Sequence, residues 1–113
     1  MWYKELICNC KAKKTKVVAK LVTTYGQTVY GVNVESSCHS LSICAERAAI
    51  VNAVTNLGPY FKIQRMEVYA EKMGEPIEII PCGSCRQLIS EFAVEETTVC
   101  GVNIRFWMPN PYL

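Results

Sequence analysis

The run SICAERAAIVNAVTN, Ser42 to Asn56, carries the reading of this sequence, because its small and apolar residues recur at helical spacing. Ala45, Ala48, Ala49, Ala53 and Val54 follow one another at that spacing, Ser42 is available as a cap, and Gly58-Pro59 supplies a stop. The pattern predicts a helix from Cys44 to Asn56 that opens with a thiol, Cys44, and a carboxylate, Glu46. Upstream, Val17 to Thr23 and Thr28 to Val34 are β-branched and apolar on either side of Tyr25-Gly26, which reads as a β-hairpin. Downstream, Arg65 to Ala70 reads as a third strand and Met73-Gly74-Glu75-Pro76 as a loop. Gly83 to Ala93 follows as a second helix, with Leu88, Ile89 and Phe92 inward, and Thr97 to Phe106 as a fourth strand or strand pair. Strand, helix and strand in that order imply a right-handed crossover and an α/β sheet with helices packed on it. No repeat, linker or low-complexity segment interrupts the chain, and 113 residues fit a single domain, 1–113.

Composition removes several chemistries. Every acidic residue is Glu and there is one His, so a Ser-His-Asp triad, an aspartic dyad, an Asp-rich calcium loop and a two-His zinc motif are excluded. Half of the residues are hydrophobic and 19% are charged, which argues against disorder. Seven cysteines cannot all pair internally, and the Lys-rich stretch from Met1 to Lys20 lacks the apolar run of a secretory signal. A reducing cytoplasm is therefore expected. No apolar stretch approaches the about 18 residues of a membrane span, and a net charge of +2 selects no partner.

The chemistry concentrates at two helix starts. Cys82-Gly83-Ser84-Cys85 places two sulfurs at the entrance of the second helix, at a spacing that can chelate one ion. A helix N-terminus and a bound metal both favour the thiolate over the thiol. Residues two apart on a helix diverge by about 200°, so Cys44 and Glu46 serve one centre only if it lies off the helix end. Two helix N-termini meeting at one zinc satisfy these demands. Three thiolates and Zn²⁺ leave the fourth tetrahedral position to water, as in a catalytic site. Arg47 is the candidate cation to hydrogen-bond the cysteine sulfurs from outside the ligand shell.

Cys44-Ala45-Glu46 together with Pro81-Cys82-x-x-Cys85 resembles the signature of the zinc-dependent, three-cysteine cytidine deaminases. The likeness runs from Val17 to Phe92: Gly31-Val32-Asn33-Val34-Glu35 is similar to that family's ribose-binding segment, Cys85-Arg86-Gln87 continues it, and Met108-Pro109 is a fainter echo. The resemblance implies a three-layer α-β-α fold with a mixed sheet flanked by helices, one Zn²⁺ per chain held by Cys44, Cys82 and Cys85, and Glu46 as the catalytic proton carrier. It further implies that Asn33, Glu35 and the main chain of Ala45 bind substrate, that the chain is a homotetramer, and that cytidine or 2′-deoxycytidine is hydrolysed to uridine or 2′-deoxyuridine and ammonia in pyrimidine salvage.

This sequence departs from the family in places. Counting back without a gap from Gly26 puts Thr15 where those enzymes carry a Phe that stacks on the pyrimidine, and Cys38-His39 stands where a small residue and Tyr are usual. Stacking must then come from elsewhere, such as Tyr112 or a neighbouring subunit, or the substrate is a modified cytosine nucleoside such as blasticidin S. Other readings stay open. Cys38 or His39 as a fourth ligand would make the zinc structural, and Cys82 with Cys85 would alternatively form a redox pair. Lys11, Lys13, Lys14, Lys16 and Lys20 form a solvated edge or, less in keeping with the absence of interleaved aromatics, a grip on a polynucleotide. Nucleic acid and membranes are not expected partners. Cys8, Cys10 and Cys100 read as small buried hydrophobes.

Overall fold

In a computed structural model, residues 1–11, 14–38, 41–78 and 83–101 are described. The elements in order are α1 (Tyr3–Ile7), β1 (Thr15–Thr23), β2 (Thr28–Val32), α2 (Ala45–Leu57), β3 (Ile63–Lys72), β4 (Glu75–Ile77), α3 (Gly83–Glu91) and β5 (Ala93–Gly101). β1 lies between β2 and β3 and is antiparallel to both. β4 pairs antiparallel with Ala70 to Lys72 of β3, and β5 runs parallel to β3 from Ile63 to Val68. β2, β3 and β5 therefore share one direction, and their carboxyl ends share one edge of the fold.

The burial of β1 explains the layering. Val17, Val18 and Ala19 are consecutive buried residues, as are Leu21, Val22 and Thr23, so both faces of this central strand are covered. On one face Val17, Ala19 and Leu21 join Val29, Met66, Val68 and Ala70 against Ala45, Ala49, Ile50 and Ala53 of α2 and Ile89 of α3. On the other, Val18 and Tyr69 pack with Cys10 under Trp2, Tyr3, Leu6 and Ile7 of the α1 segment. Helices thus flank a mixed sheet on two sides, as the sequence implied.

Local chemistry sets the ends of the elements. The turn between β1 and β2 uses Gly26 at φ 81°, and α2 ends at Gly58 at φ 83°. The start of α2 differs from expectation: Cys44, not Ser42, occupies the cap position, with no side-chain cap hydrogen bond. The Ser42 hydroxyl instead accepts from the Ser36 N–H at 3.0 Å, closing the loop before the helix. β5 begins at Ala93, ahead of the expected Thr97, because the strand pairs at Ala93 and again from Thr98, with an irregularity between. Thr97 closes it, its hydroxyl accepting from Val94 N–H at 2.8 Å and donating to the Ile63 carbonyl at 2.5 Å. Glu95 and Glu96 stay exposed, which is why that stretch does not read as strand.

Candidate active site

The sheet edge where β2 and β3 end is where α2 and α3 begin. Gly31 holds α2 close: a Cβ there would run into the main chain of Ala45 and Ala49, so the first turns of α2 lie directly on β2. Val34 then bridges two segments. Val34 N–H donates to the Ile43 carbonyl at 2.9 Å and Ile43 N–H returns to Val34 at 2.8 Å, while Glu35 N–H donates to the Lys11 carbonyl at 2.8 Å. Asn33, Val34 and Glu35 therefore run beside the residue that precedes Cys44.

Glu46 and Cys85 bring the two helices together. Glu46 is 5% exposed, and the Cys85 thiol, fully buried, donates a hydrogen bond to its carboxylate. Burial pushes the Glu46 carboxyl above the usual carboxylate range, against the opposing pull of hydrogen bonds from its own main-chain N–H and from Cys85. A carboxyl raised in this way holds a proton more readily than an exposed one, which suits a group that must accept and then deliver protons. Cys44, half-buried, sits at the cap of α2, where unpaired N–H groups favour negative sulfur.

Cys44 at the mouth of α2 and Cys85 in the first turn of α3 are donors whose chemistry fits a borderline-soft cation, since helix N-termini favour anionic sulfur. Cys82, the third expected ligand, lies outside the described residues, as do Lys13, His39, Pro81, Phe106 to Pro109 and Tyr112. Among the described residues no group of three or more His, Cys, Asp or Glu is placed to hold an ion.

The other predicted residues are placed as follows. The Asn33 amide is engaged with β1, its Oδ1 accepting from Val17 N–H and its Nδ2 donating to the Thr15 carbonyl, both at 3.0 Å. One amide proton and one lone pair remain for a further partner. β2 stops at Val32, so Asn33 and Glu35 lie just beyond the strand end rather than on it, and Glu35 is exposed. Thr15 shares the face of Val17 and Ala19, towards α2. Ala45 is fully buried in the first turn of α2. Arg47 is half-buried there, and no side-chain hydrogen bond or ion pair joins it to another described residue.

Two expectations need correction or narrowing. Cys8 is exposed and Cys100 half-buried, so of the three cysteines expected in the core only Cys10 is buried. Lys16 and Lys20 share the strand face of Val18, opposite α2. Lys20 is paired with Glu67 at 3.5 Å and lies 5.9 Å from the Trp2 ring centre. These two lysines therefore lie half-buried on the central strand, not on an edge of the sheet. No described helix is long and apolar enough to cross a membrane.

Residues 3–101 match the family model for the cytidine and deoxycytidylate deaminase zinc-binding region. The chain belongs to this family. A cytidine deaminase of Mycoplasma pneumoniae is 42% identical over 84 residues, 74% of this chain and 60% of that protein. A blasticidin-S deaminase of Bacillus cereus is 32% identical over 83 residues, 71% of this chain and 59% of that protein. A crystal structure of cytidine deaminase from Burkholderia pseudomallei superposes with a TM-score of 0.68 at 34% identity, covering 85% of this chain and 75% of that one. The chain spans about three fifths of the length of the Mycoplasma and Bacillus cereus relatives it matches. The expected cytidine-deaminase-like fold, a mixed sheet flanked by helices, is thus the one this chain shares with the Burkholderia enzyme.

Proposed function

We propose that this deaminase-family chain hydrolyses cytidine and 2′-deoxycytidine to uridine and 2′-deoxyuridine with release of ammonia. The observation that carries the proposal is the burial of the Glu46 carboxyl beside the Cys85 sulfur where α2 and α3 meet. Cys44, Cys82 and Cys85 would hold one zinc ion per chain, and when bound that ion supplies the Lewis acidity that makes a water proton available to a carboxylate at neutral pH. Glu46 takes that proton and passes it to N3 of the pyrimidine as oxygen bonds to C4. It then takes the proton of the new C4 hydroxyl and delivers it to the exocyclic nitrogen, so that the C4–N bond breaks and ammonia departs. One water is consumed and Glu46 ends ionised, as it began.

The remaining residues orient the substrate. Asn33 and Glu35 stand beside the segment that leads into Cys44, which suits them to the sugar hydroxyls, and the main chain of Ala45 is suited to the base edge. Arg47, at the mouth of α2, is the cation expected to draw charge from the sulfurs. In this reading residues 1–113 act as a single domain, assembled as a homotetramer in the cytoplasm.

The test is loss of the cytidine absorbance band with ammonia and zinc quantified in the same samples, using cytidine, 2′-deoxycytidine, cytosine, their phosphates and blasticidin S. Glu46→Gln is expected to retain zinc and lose at least about a hundredfold in turnover, the contribution of a positioned acid-base group. Native turnover by that variant would remove Glu46 from the mechanism. Blasticidin S consumed in preference to cytidine would transfer the assignment to the antibiotic deaminases.

A further inference from the structure

We infer that Cys10 is a positioning residue for Asn33 and Glu35 and thereby sets how strongly the site reads the sugar; the inference rests on the proposed sugar-binding role of those two residues. Cys10 is 9% exposed and packs with Val18 and Tyr69 on the α1 side of the sheet. Its thiol donates towards the Val17 carbonyl at 3.5 Å, with the Leu6 carbonyl at 3.9 Å. The Val17 carbonyl that accepts from the thiol is also the acceptor of the Asn33 N–H. Val17 is the residue that holds Asn33 from the other side: Asn33 N–H donates to its carbonyl and Val17 N–H donates to Asn33 Oδ1, each at 3.0 Å.

The next residue along completes the clamp. The Lys11 carbonyl accepts from Glu35 N–H at 2.8 Å, and Lys11 pairs with Val34 in a parallel bridge. The segment of Cys10 and Lys11 therefore acts as a short extra strand against residues 33–35, beyond the point where β2 has ended. A backbone without a regular strand partner would otherwise be free to shift, and a displacement of about 1 Å in a substrate-orienting group can cost about a hundredfold. A buried side chain bonded to the carbonyl that Asn33 also uses fixes the position of Asn33 without touching substrate.

The experiment compares cytidine with 2′,3′-dideoxycytidine, which lacks the 2′ and 3′ hydroxyls, in the zinc-loaded native chain and in Cys10→Ala. The expected result is a KM for cytidine raised about tenfold, kcat within about twofold of native, and no change in KM for the dideoxy compound. Cys10→Ser, which keeps a donor for the Val17 carbonyl at similar size, should restore most of the preference. Should Cys10→Ala fail to unfold cooperatively, Cys10→Val, which fills the volume without the donor, is read in its place. Equal changes for the two substrates, a loss confined to kcat, or an unaltered KM would overturn the inference. A native chain inactive on cytidine would instead overturn the proposed function, and one that treats both compounds alike would remove Asn33 and Glu35 as sugar readers.

Discussion

Gly31 lacks a side chain, and the main chain of α2 occupies the space where one would be. A Cβ at this position would lie 2.8 Å from Ala49 Cα and closer still to Ala49 N and Ala45 O. All of these are backbone atoms of one helix, so relief requires α2 to move away from β2 as a body. Gly31→Ala should therefore destabilise the fold by about 1 to 3 kcal/mol, the usual cost of overpacking. Because Cys44 and Glu46 ride on the same helix end, the variant should also bind zinc more weakly. Urea unfolding and metal titration on the same preparation check both, and a variant with native stability would mean that the approach of α2 to the sheet is not tight. Glu46 shows the same dependence on neighbours. A glutamate in the first turn of a helix is unremarkable in sequence, favoured by the helix dipole alone. It is buried here, and the Cys85 thiol that meets it comes from α3.

At the scale of elements, the hairpin and α2 were legible because their patterns are local: Gly26 and Gly58 adopt positive φ where the turn and the helix end demand it, and alanines recur at helical spacing. β5 was less so, since its pairing with β3 skips from Ala93 to Thr98 across exposed acids. Thr97 makes that irregularity possible by satisfying Val94 and Ile63 with one hydroxyl. Thr97→Val preserves shape but leaves a buried carbonyl and a part-buried N–H without that partner. It is expected to cost about 1 to 3 kcal/mol, measured by denaturant unfolding; a neutral substitution would show that water replaces the hydroxyl. The cap of α2 teaches a related lesson. Ser42 is the better capping residue by type, yet its hydroxyl is drawn to Ser36, and Cys44 takes the cap position with its sulfur at the helix mouth.

At the scale of the whole molecule, the proposed zinc ties α2 to the segment that opens α3, so metal binding and folding should be linked. A ligand at a hundred times its dissociation constant stabilises by about 2.7 kcal/mol. Removing zinc with a chelator should thus lower the thermal midpoint by about 10 °C for a chain of this size, and re-addition should restore it. A midpoint indifferent to stoichiometric zinc would mean that the ion does not bridge the two helices. The sequence by itself determined the hairpin, α2, the third strand and the start of α3, though neither α1 nor β4, and it determined the thiol and carboxylate at the start of α2 and the family, because hydrophobic period, turn residues and motif spacing are properties of short contiguous stretches. Tertiary structure alone decided that Glu46 is buried against Cys85, that Gly31 admits α2 to the sheet, and that Cys10 sits at the junction of Val17 and Asn33. Each of those facts joins residues far apart in the chain, and their distance is fixed by packing that no local pattern encodes.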